Sequence, residues 1–423
     1  MNFPSMYRVR QLVEAPRLDL IEETVSREMQ ALDLTAYIKP GSRIAITAGS
    51  RGIANIDRIY KQVIQVLKDH GARPFLFPAM GSHGRGTAQG QLEVLESLNI
   101  TEASMGIPIL ASMDTVRIGT SSAGFPVLVD KHASEADGIV VINRIKPHTD
   151  FKGPIESGLL KMMAIGMGKH QGCLQVHKQA VQYGYRKVIP EIGSFVLEKL
   201  PILFGLGIVE NFYDETAFIK AILPENLLEK EAELLTTAKS LMARLPVDDV
   251  DILIIDEMGK NISGTGMDTN VIGRIIPAGD GRPLKPSITR IVVLSLTHPS
   301  HGNCIGIGLA DYTTRRLLDA VDLKALATNA ISSMAPEQAR LPIAFDTDRE
   351  AINAAFDTIG AILPENARVI HIKNTLELRE IHVSRALKAE LEEKQGVLLE
   401  EKLDPLTFDD QGMIHPVEFK VRD

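Results

Sequence analysis

RIAITAGSRGIANIDRIYKQVIQVLKDHGARPFLFPA, residues 43–79, is the stretch whose pattern decides the fold. Six residues, 43–48, form an apolar run with the look of a buried strand. Apolar residues then recur at helical spacing from about Asn55 to His70, and Gly71 closes the helix. A second apolar run at 74–79 predicts the next strand. Outward from this unit, Thr87 to Leu98 predicts another helix and GIVVIN (138–143) a third strand. A loop bearing Pro and Gly then leads to helical pattern near Ser157. Strands that alternate with helices pair in parallel and make an α/β sheet. Ligands of such sheets gather outside the carboxyl ends of the strands.

The alternation resumes after a long helical pattern from about Leu227 to Arg244, which ends in the linker-like PVDD. Its elements are DILIID (251–256), ITRIVVLSLT (288–297), a helix near Thr313–Val321, and ARVIHI (367–372). The expected architecture is therefore α/β, two α/β domains with a ligand cleft between them. Residues 1–245 form the first domain and 246–423 the second, with the last residues free to return to the first. The charged stretch from Ser384 to Lys402 reads as a surface helix and its exit.

Bulk properties narrow the function classes. The chain has 423 residues, 44% hydrophobic and 24% charged, and a formal net charge of -8. No basic stripe is available to neutralise phosphates, which argues against a nucleic-acid partner, as does the absence of Trp. No apolar run approaches the roughly 20 residues that span a bilayer. The N-terminus lacks the apolar stretch of a secretory signal. Two cysteines, Cys173 and Cys304, are too few for a disulfide framework or a thiolate cage. A cytoplasmic protein without a membrane or nucleic-acid partner is the expectation.

Four loops after the first-half strands are dense in cations, imidazoles and glycines: TAGSRGIAN with Arg51, AMGSHGRGT with His83, NRIKPHTDFKG with His148, and ESGLLKMMAIGMGKHQGCLQVH with Lys161, His170 and His177. Glycine lets backbone approach a ligand closely, and a helix start beside it exposes N–H groups to anions. The planar fork of arginine suits a carboxylate. Two histidines can divide acid and base work near neutral pH. No phosphate loop of the GxxxxGK type, no HExxH and no GxSxG occurs. The residues alone point to an α/β enzyme for an anionic small molecule, without naming the reaction.

The order of these elements resembles the lactate racemase family that uses the nickel-pincer nucleotide. It runs Arg51, Gly81-Ser82-His83, Pro147-His148, Ser157-Gly158-Leu159-Leu160-Lys161 and His177, at intervals of 32, 65, 13 and 16 residues. The resemblance covers the first half of the chain. It implies that Lys161 carries the nucleotide covalently, that His177 completes the nickel coordination, and that His83 and His148 are the acid–base pair. It further implies that Arg51 holds the substrate carboxylate, and that Ser157 and Gly158, at a helix start, suit the cofactor phosphate. The reaction so implied is racemisation or epimerisation of a lactate-like or sugar 2-hydroxy acid by reversible hydride transfer. Enzymes that build the cofactor would be partners, and an oligomer is compatible.

Two loops of the second half, EMGKNISGTGMDTN (257–270) and THPSHGN (297–303), are polar and broken by glycine. Lys260, Asn261, Asp268 and His298 are expected to recognise a substrate more polar than lactate. Three matters stay open. His170 rivals His177 for nickel. An oxidoreductase or lyase could use the same cofactor. A non-catalytic protein could bind an anionic metabolite without it.

Overall fold

The structure is a computed structural model describing residues 2–275 and 285–416. It divides into a central unit, Ala15–Met242, and a terminal unit built from Met1–Glu14 with Ala243–Asp423. The chain opens with β1 (Ser5–Gln11) in the terminal unit.

The central sheet contains β2 (Arg43–Ala48), β3 (Arg73–Pro78), β6 (Gly138–Arg144), β7 (Ile202–Glu210) and β8 (Thr216–Ile222), in the order β3-β2-β6-β7-β8. Its first four members are parallel and β8 is antiparallel to β7. Between β3 and β6, β4 (Thr115–Thr120) and β5 (Pro126–Asp130) make a separate antiparallel ribbon.

Side chains alternate across a pleated strand, so each run feeds two cores. Ile44, Ile46, Leu76, Val140 and Ile142 bury against the helices Ile21–Gln30 and Ile56–Asp69. Ala45, Phe75, Phe77, Ile139 and Val141 face the opposite layer, with Val188 and Ile192 of the helix Tyr185–Lys199 and Leu235 of the helix Leu227–Leu241. Helices on both faces explain why these strands read as continuous apolar runs. Each fully buried aliphatic or aromatic side chain contributes about 1.5–3 kcal/mol.

From β2 the chain crosses to β3 on one side, and from β6 to β7 on the other. The carboxyl ends of β2 and β6 therefore flank the switch point, where a crevice opens in sheets of this kind.

The terminal unit holds an eight-stranded sheet, adding β9 (Asp249–Ile255), β10 (Ser287–Val293), β11 (Tyr312–Thr314), β12 (Ile343–Phe345), β13 (Val369–Ile372), β14 (Glu380–Ser384) and β15 (Val397–Pro405) to β1. Their order is β12-β11-β10-β9-β13-β14-β1-β15. The run from β12 to β13 is parallel and the remainder antiparallel.

Two details differ from the sequence reading. Residues 1–14 join the terminal unit rather than the first half, because β1 is hydrogen-bonded between β14 and β15. The stretch Ser384–Lys402 is not one surface helix, since only Lys388–Glu392 is α-helical and Val397–Pro405 is a strand. Its Glu and Lys content favours helix locally, but pairing with β1 overrides it. The ion pairs Arg8–Glu401 and Arg10–Glu400 tie the two strands. Charged side chains on this outermost strand also discourage further pairing. The residues after 416, whose destination the sequence left open, lie outside the described residues.

Within this sheet the His371 ring Nε2 lies 2.6 Å from Asp256 Oδ1, and its cross-strand neighbour His382 packs edge-on at 5.8 Å. Burial, then His371, then Arg8 lower the His382 pKa to about 4. The imidazole is neutral in the fold and takes up a proton on unfolding. Its stabilising contribution is present above the unfolded value of about 6.5 and is lost as pH falls toward 4. At about 1.4 kcal/mol per unit, this amounts to about 3 kcal/mol at most. In urea melts, stability should fall more steeply across that window in the wild-type chain than in His382→Phe. Parallel curves for the two proteins would refute the assignment.

Candidate active site

Three loops leave the carboxyl ends of β2, β3 and β6, and a helical segment packs beneath them. The segment begins at Leu159–Lys161 and continues as a π-helical turn, Met162–Gly166, closed by the Met167 N–H to Met162 O bond of 2.8 Å. π-turns of this kind occur often at functional sites. Glycines let the loops come down onto it. A Cβ on Gly49 would meet Met162 Cε at 3.3 Å, and one on Gly81 would meet Ile165 at 3.3 Å. The Gly81 N–H also donates to Gly166 O at 3.1 Å. The loops carrying Arg51 and His83 are thereby fixed against the segment carrying Lys161.

Lys161 and His148 are in direct contact, with Nζ 2.6 Å from Nε2. The other ring nitrogen, Nδ1, accepts the Asp150 backbone N–H at 3.0 Å. Burial, the largest cause, pulls the Lys161 pKa down to about 8, helped by the nearby cations Arg51 and Lys146 and opposed by Asp150 and Cys173. Burial and then Lys161 push His148 well below the usual imidazole range. Arg51 is half-buried, and desolvation with Arg144 beside it lowers its pKa. Arg144 itself is ion-paired to Glu210. Arg51 and Lys146 thus place positive charge beside Lys161 at the β2–β6 switch point, a setting that favours an anion.

A row of rings links His148 to His177. His148 lies 4.4 Å from Phe151, Phe151 stacks on Tyr185 at 5.2 Å, and Tyr185 meets His177 edge-on at 5.7 Å. The Tyr185 hydroxyl is 2.6 Å from His177 Nδ1. Burial and then Lys161 lower the His177 pKa to about 4, so the ring is neutral, as a metal ligand must be. His170, on the same helix Lys169–Tyr183, instead packs against Gly86 in the His83 loop. Among the described residues no three His, Cys, Asp or Glu side chains converge as a metal cage.

His83 is exposed and sits on a glycine-rich turn, its backbone N–H bonded to Met80 O at 3.1 Å. Sequence reading missed what braces this turn. Lys169, fully buried, donates to Pro78 O at 2.5 Å and Gln91 Oε1 at 3.2 Å, and pairs with Asp130 at 3.1 Å. Gln91 in turn donates to Gly81 O at 2.9 Å. No local pattern marks Lys169 as buried, because its partners are 39 to 91 residues away.

Ser157 and Gly158 do precede the helical segment, but its first N–H groups are already used. Leu160 N donates to the buried Glu231 carboxyl at 2.9 Å, and burial raises Glu231 to about 8. A Cβ on Gly158 would come within 2.2 Å of Glu231 Oε1. The glycine is thus explained by packing, and an anion has no open helix start at that point. Glu231 was missed because it arrives from a helix 71 residues away.

Lys260, Asn261, Asp268 and His298 belong to the terminal unit, where the 257–270 and 297–303 loops are joined. Asn261 Oδ1 accepts the Thr297 hydroxyl at 2.6 Å, and the Lys260 N–H donates to Ser300 Oγ at 2.9 Å. The Lys260 ammonium reaches Gly264 O at 2.6 Å. Asp268 caps Thr269–Ile272 by accepting Asn270 N at 2.9 Å. His298 is exposed, 6.3 Å ring to ring from His301. Asn261 and Asp268 therefore have structural work within the loops, while Lys260 and His298 present polar atoms at their surface.

The lactate racemase N-terminal domain family matches residues 5–187. Among solved structures, the lactate racemase apoprotein from Thermoanaerobacterium thermosaccharolyticum superposes with a TM-score of 0.52 at 16% identity. The match covers 86% of this chain and 95% of that one, and is a likeness of fold. No curated protein matches the chain. No helix among the described residues is long and apolar enough to cross a membrane. The five elements from Arg51 to His177 fall inside the matched region, so residues 5–187 are similar to the lactate racemase N-terminal domain family.

Proposed function

We propose that the chain racemises or epimerises a 2-hydroxy acid, lactate-like or a sugar acid, with a nickel-pincer nucleotide tethered to Lys161. The observation that carries this reading is the Lys161 amine, desolvated, within hydrogen-bond reach of His148 and set among cations at the β2–β6 switch point. The residues fit the nucleotide on three counts. Lys161 has the lowered pKa that a covalent amine needs. His177 is neutral and oriented by Tyr185. Arg51 and Lys146 supply charge for an anion. The expected phosphate seat at Ser157 and Gly158 is the exception, since Glu231 takes the helix start.

When bound, the nucleotide supplies a reversible hydride acceptor for a C–H bond too weakly acidic for simple deprotonation. Arg51 receives the substrate carboxylate. His83 and His148 exchange the hydroxyl proton, one for each mirror-image alcohol. For His148 to accept at Nε2, Nδ1 must regain its proton and release the Asp150 N–H. Lys260 and His298, with Asn261 and Asp268 shaping their loops, recognise the polar part of a larger hydroxy acid. The reading places the protein in the cytoplasm beside the enzymes that make its cofactor.

The test is chiral analysis of 2-hydroxy acids incubated with protein co-produced with those enzymes. Each active substrate should yield its stereoisomer at unchanged oxidation state, and Lys161→Ala should abolish conversion. Accumulation of a keto acid or a dehydrated product would sink the racemase reading. Arg51→Ala loses a charged hydrogen bond of about 1.5–3 kcal/mol and should raise apparent KM roughly tenfold to a hundredfold. An unchanged KM would remove the carboxylate role from Arg51.

A further inference from the structure

Hydrogen bonds at both His148 nitrogens fix more than a contact. Nδ1 accepts the Asp150 N–H, so in the neutral ring the proton resides on Nε2. That proton points at Lys161 Nζ over 2.6 Å. An ammonium has no lone pair to receive it, whereas an uncharged amine has one. We propose that His148, in the chain before any cofactor is attached, is a positioning residue that holds Lys161 as an uncharged, acylable amine, and that acylation of Lys161 releases His148. The inference rests on the tethering role proposed above and gives His148 a task ahead of acid–base chemistry.

The surroundings are consistent. Lys161 is faced by the cations Arg51 and Lys146, by Asp150 and Cys173, and by the rings of His148 and His177. Of these, Asp150 and Cys173 favour its charged form, and Arg51 and Lys146 oppose it. The His148 loop is pinned from below, because buried Glu156 accepts the His148 N–H at 2.7 Å and pairs with Lys239 at 2.6 Å. Phe151 backs the ring. The imidazole therefore holds its place while the lysine changes state.

The chemistry balances with an activated acyl or thioacyl donor. The Nζ lone pair turns away from Nε2–H and forms the N–C bond. The bond from carbon to the leaving group breaks with its electron pair, and one Nζ proton leaves with that group. In the product the nitrogen lone pair is delocalised into the amide or thioamide and no longer accepts. His148 Nε2–H loses its partner and becomes available to a substrate hydroxyl. An unloaded chain thus keeps His148 occupied, and a loaded one frees it.

The test acetylates the full-length cofactor-free chain with N-hydroxysuccinimidyl acetate from pH 6 to 10 and follows Lys161 by peptide mass. In the wild type, labelling should be half-maximal near pH 8. His148→Phe keeps a ring on Phe151 but removes the donor, and should slow labelling at pH 8 at least tenfold. His148→Gln, which can donate an amide N–H, should restore most of the rate. If an ammonium instead donates to His148, the Phe variant will label as fast or faster, and the proposal falls. Should His148→Phe not fold in a thermal melt, imidazole nitrogen shifts of wild-type chain labelled with 15N-histidine decide. An Nε2–H tautomer of His148 supports the proposal and an Nδ1–H tautomer overturns it. Neither readout uses the nucleotide, so a chain that behaves this way yet never acquires the cofactor would refute the functional reading alone.

Discussion

The Glu156 carboxylate lies buried under the loop that follows β6, accepting the backbone N–H groups of His148 at 2.7 Å and Gly153 at 3.1 Å while pairing with Lys239 at 2.6 Å. A loop of that length cannot bury polar backbone without such a partner. With the carboxylate in place, the chain from His148 to Ser157 folds back on itself and presents His148 Nε2 to Lys161. The ring row through Phe151 and Tyr185 then extends the same rigidity to His177. Removing the Glu156 carboxylate would leave these buried backbone N–H groups without their acceptor, a cost of about 1–3 kcal/mol each.

Charge and burial act together at the switch point. Positive side chains gathered close together weaken one another's hold on protons, and burial weakens it further. The result is an amine poised to react and two imidazoles that stay neutral at physiological pH. Perturbed groups clustered in one crevice mark a functional site more often than a structural one. The buried Lys169–Asp130 pair shows the contrast. It is satisfied by backbone and side-chain partners, and it serves the His83 turn by holding its base.

Much of this was legible in the chain. β2, β3 and β6 could be read because parallel strands covered on both faces are apolar throughout, and Gly71 has the positive φ that ends its helix. Arg51 and His148 could be singled out because each follows a strand by a few residues, and the sheet brings those ends together, whereas Lys161, 17 residues beyond β6, was picked out by the family resemblance. β15 could not, since its Glu-Lys run becomes a strand only through a partner nearly 400 residues away. Glu231, Tyr185, Glu156 and Lys169 were invisible for the same reason. Their roles depend on side chains delivered from distant helices, and no local periodicity encodes that delivery. The Ser157-Gly158 pair is ambiguous in sequence because a glycine at a helix start looks the same whether it serves a ligand or makes room for a neighbouring carboxyl.

The proposed attachment of a nickel nucleotide to Lys161 can be checked by peptide mass and nickel content of protein produced alongside the enzymes that build that cofactor. A mass increment on the peptide bearing Lys161 and about one nickel per chain are expected, both lost in Lys161→Ala. An unmodified Lys161 without nickel under those conditions would contradict it.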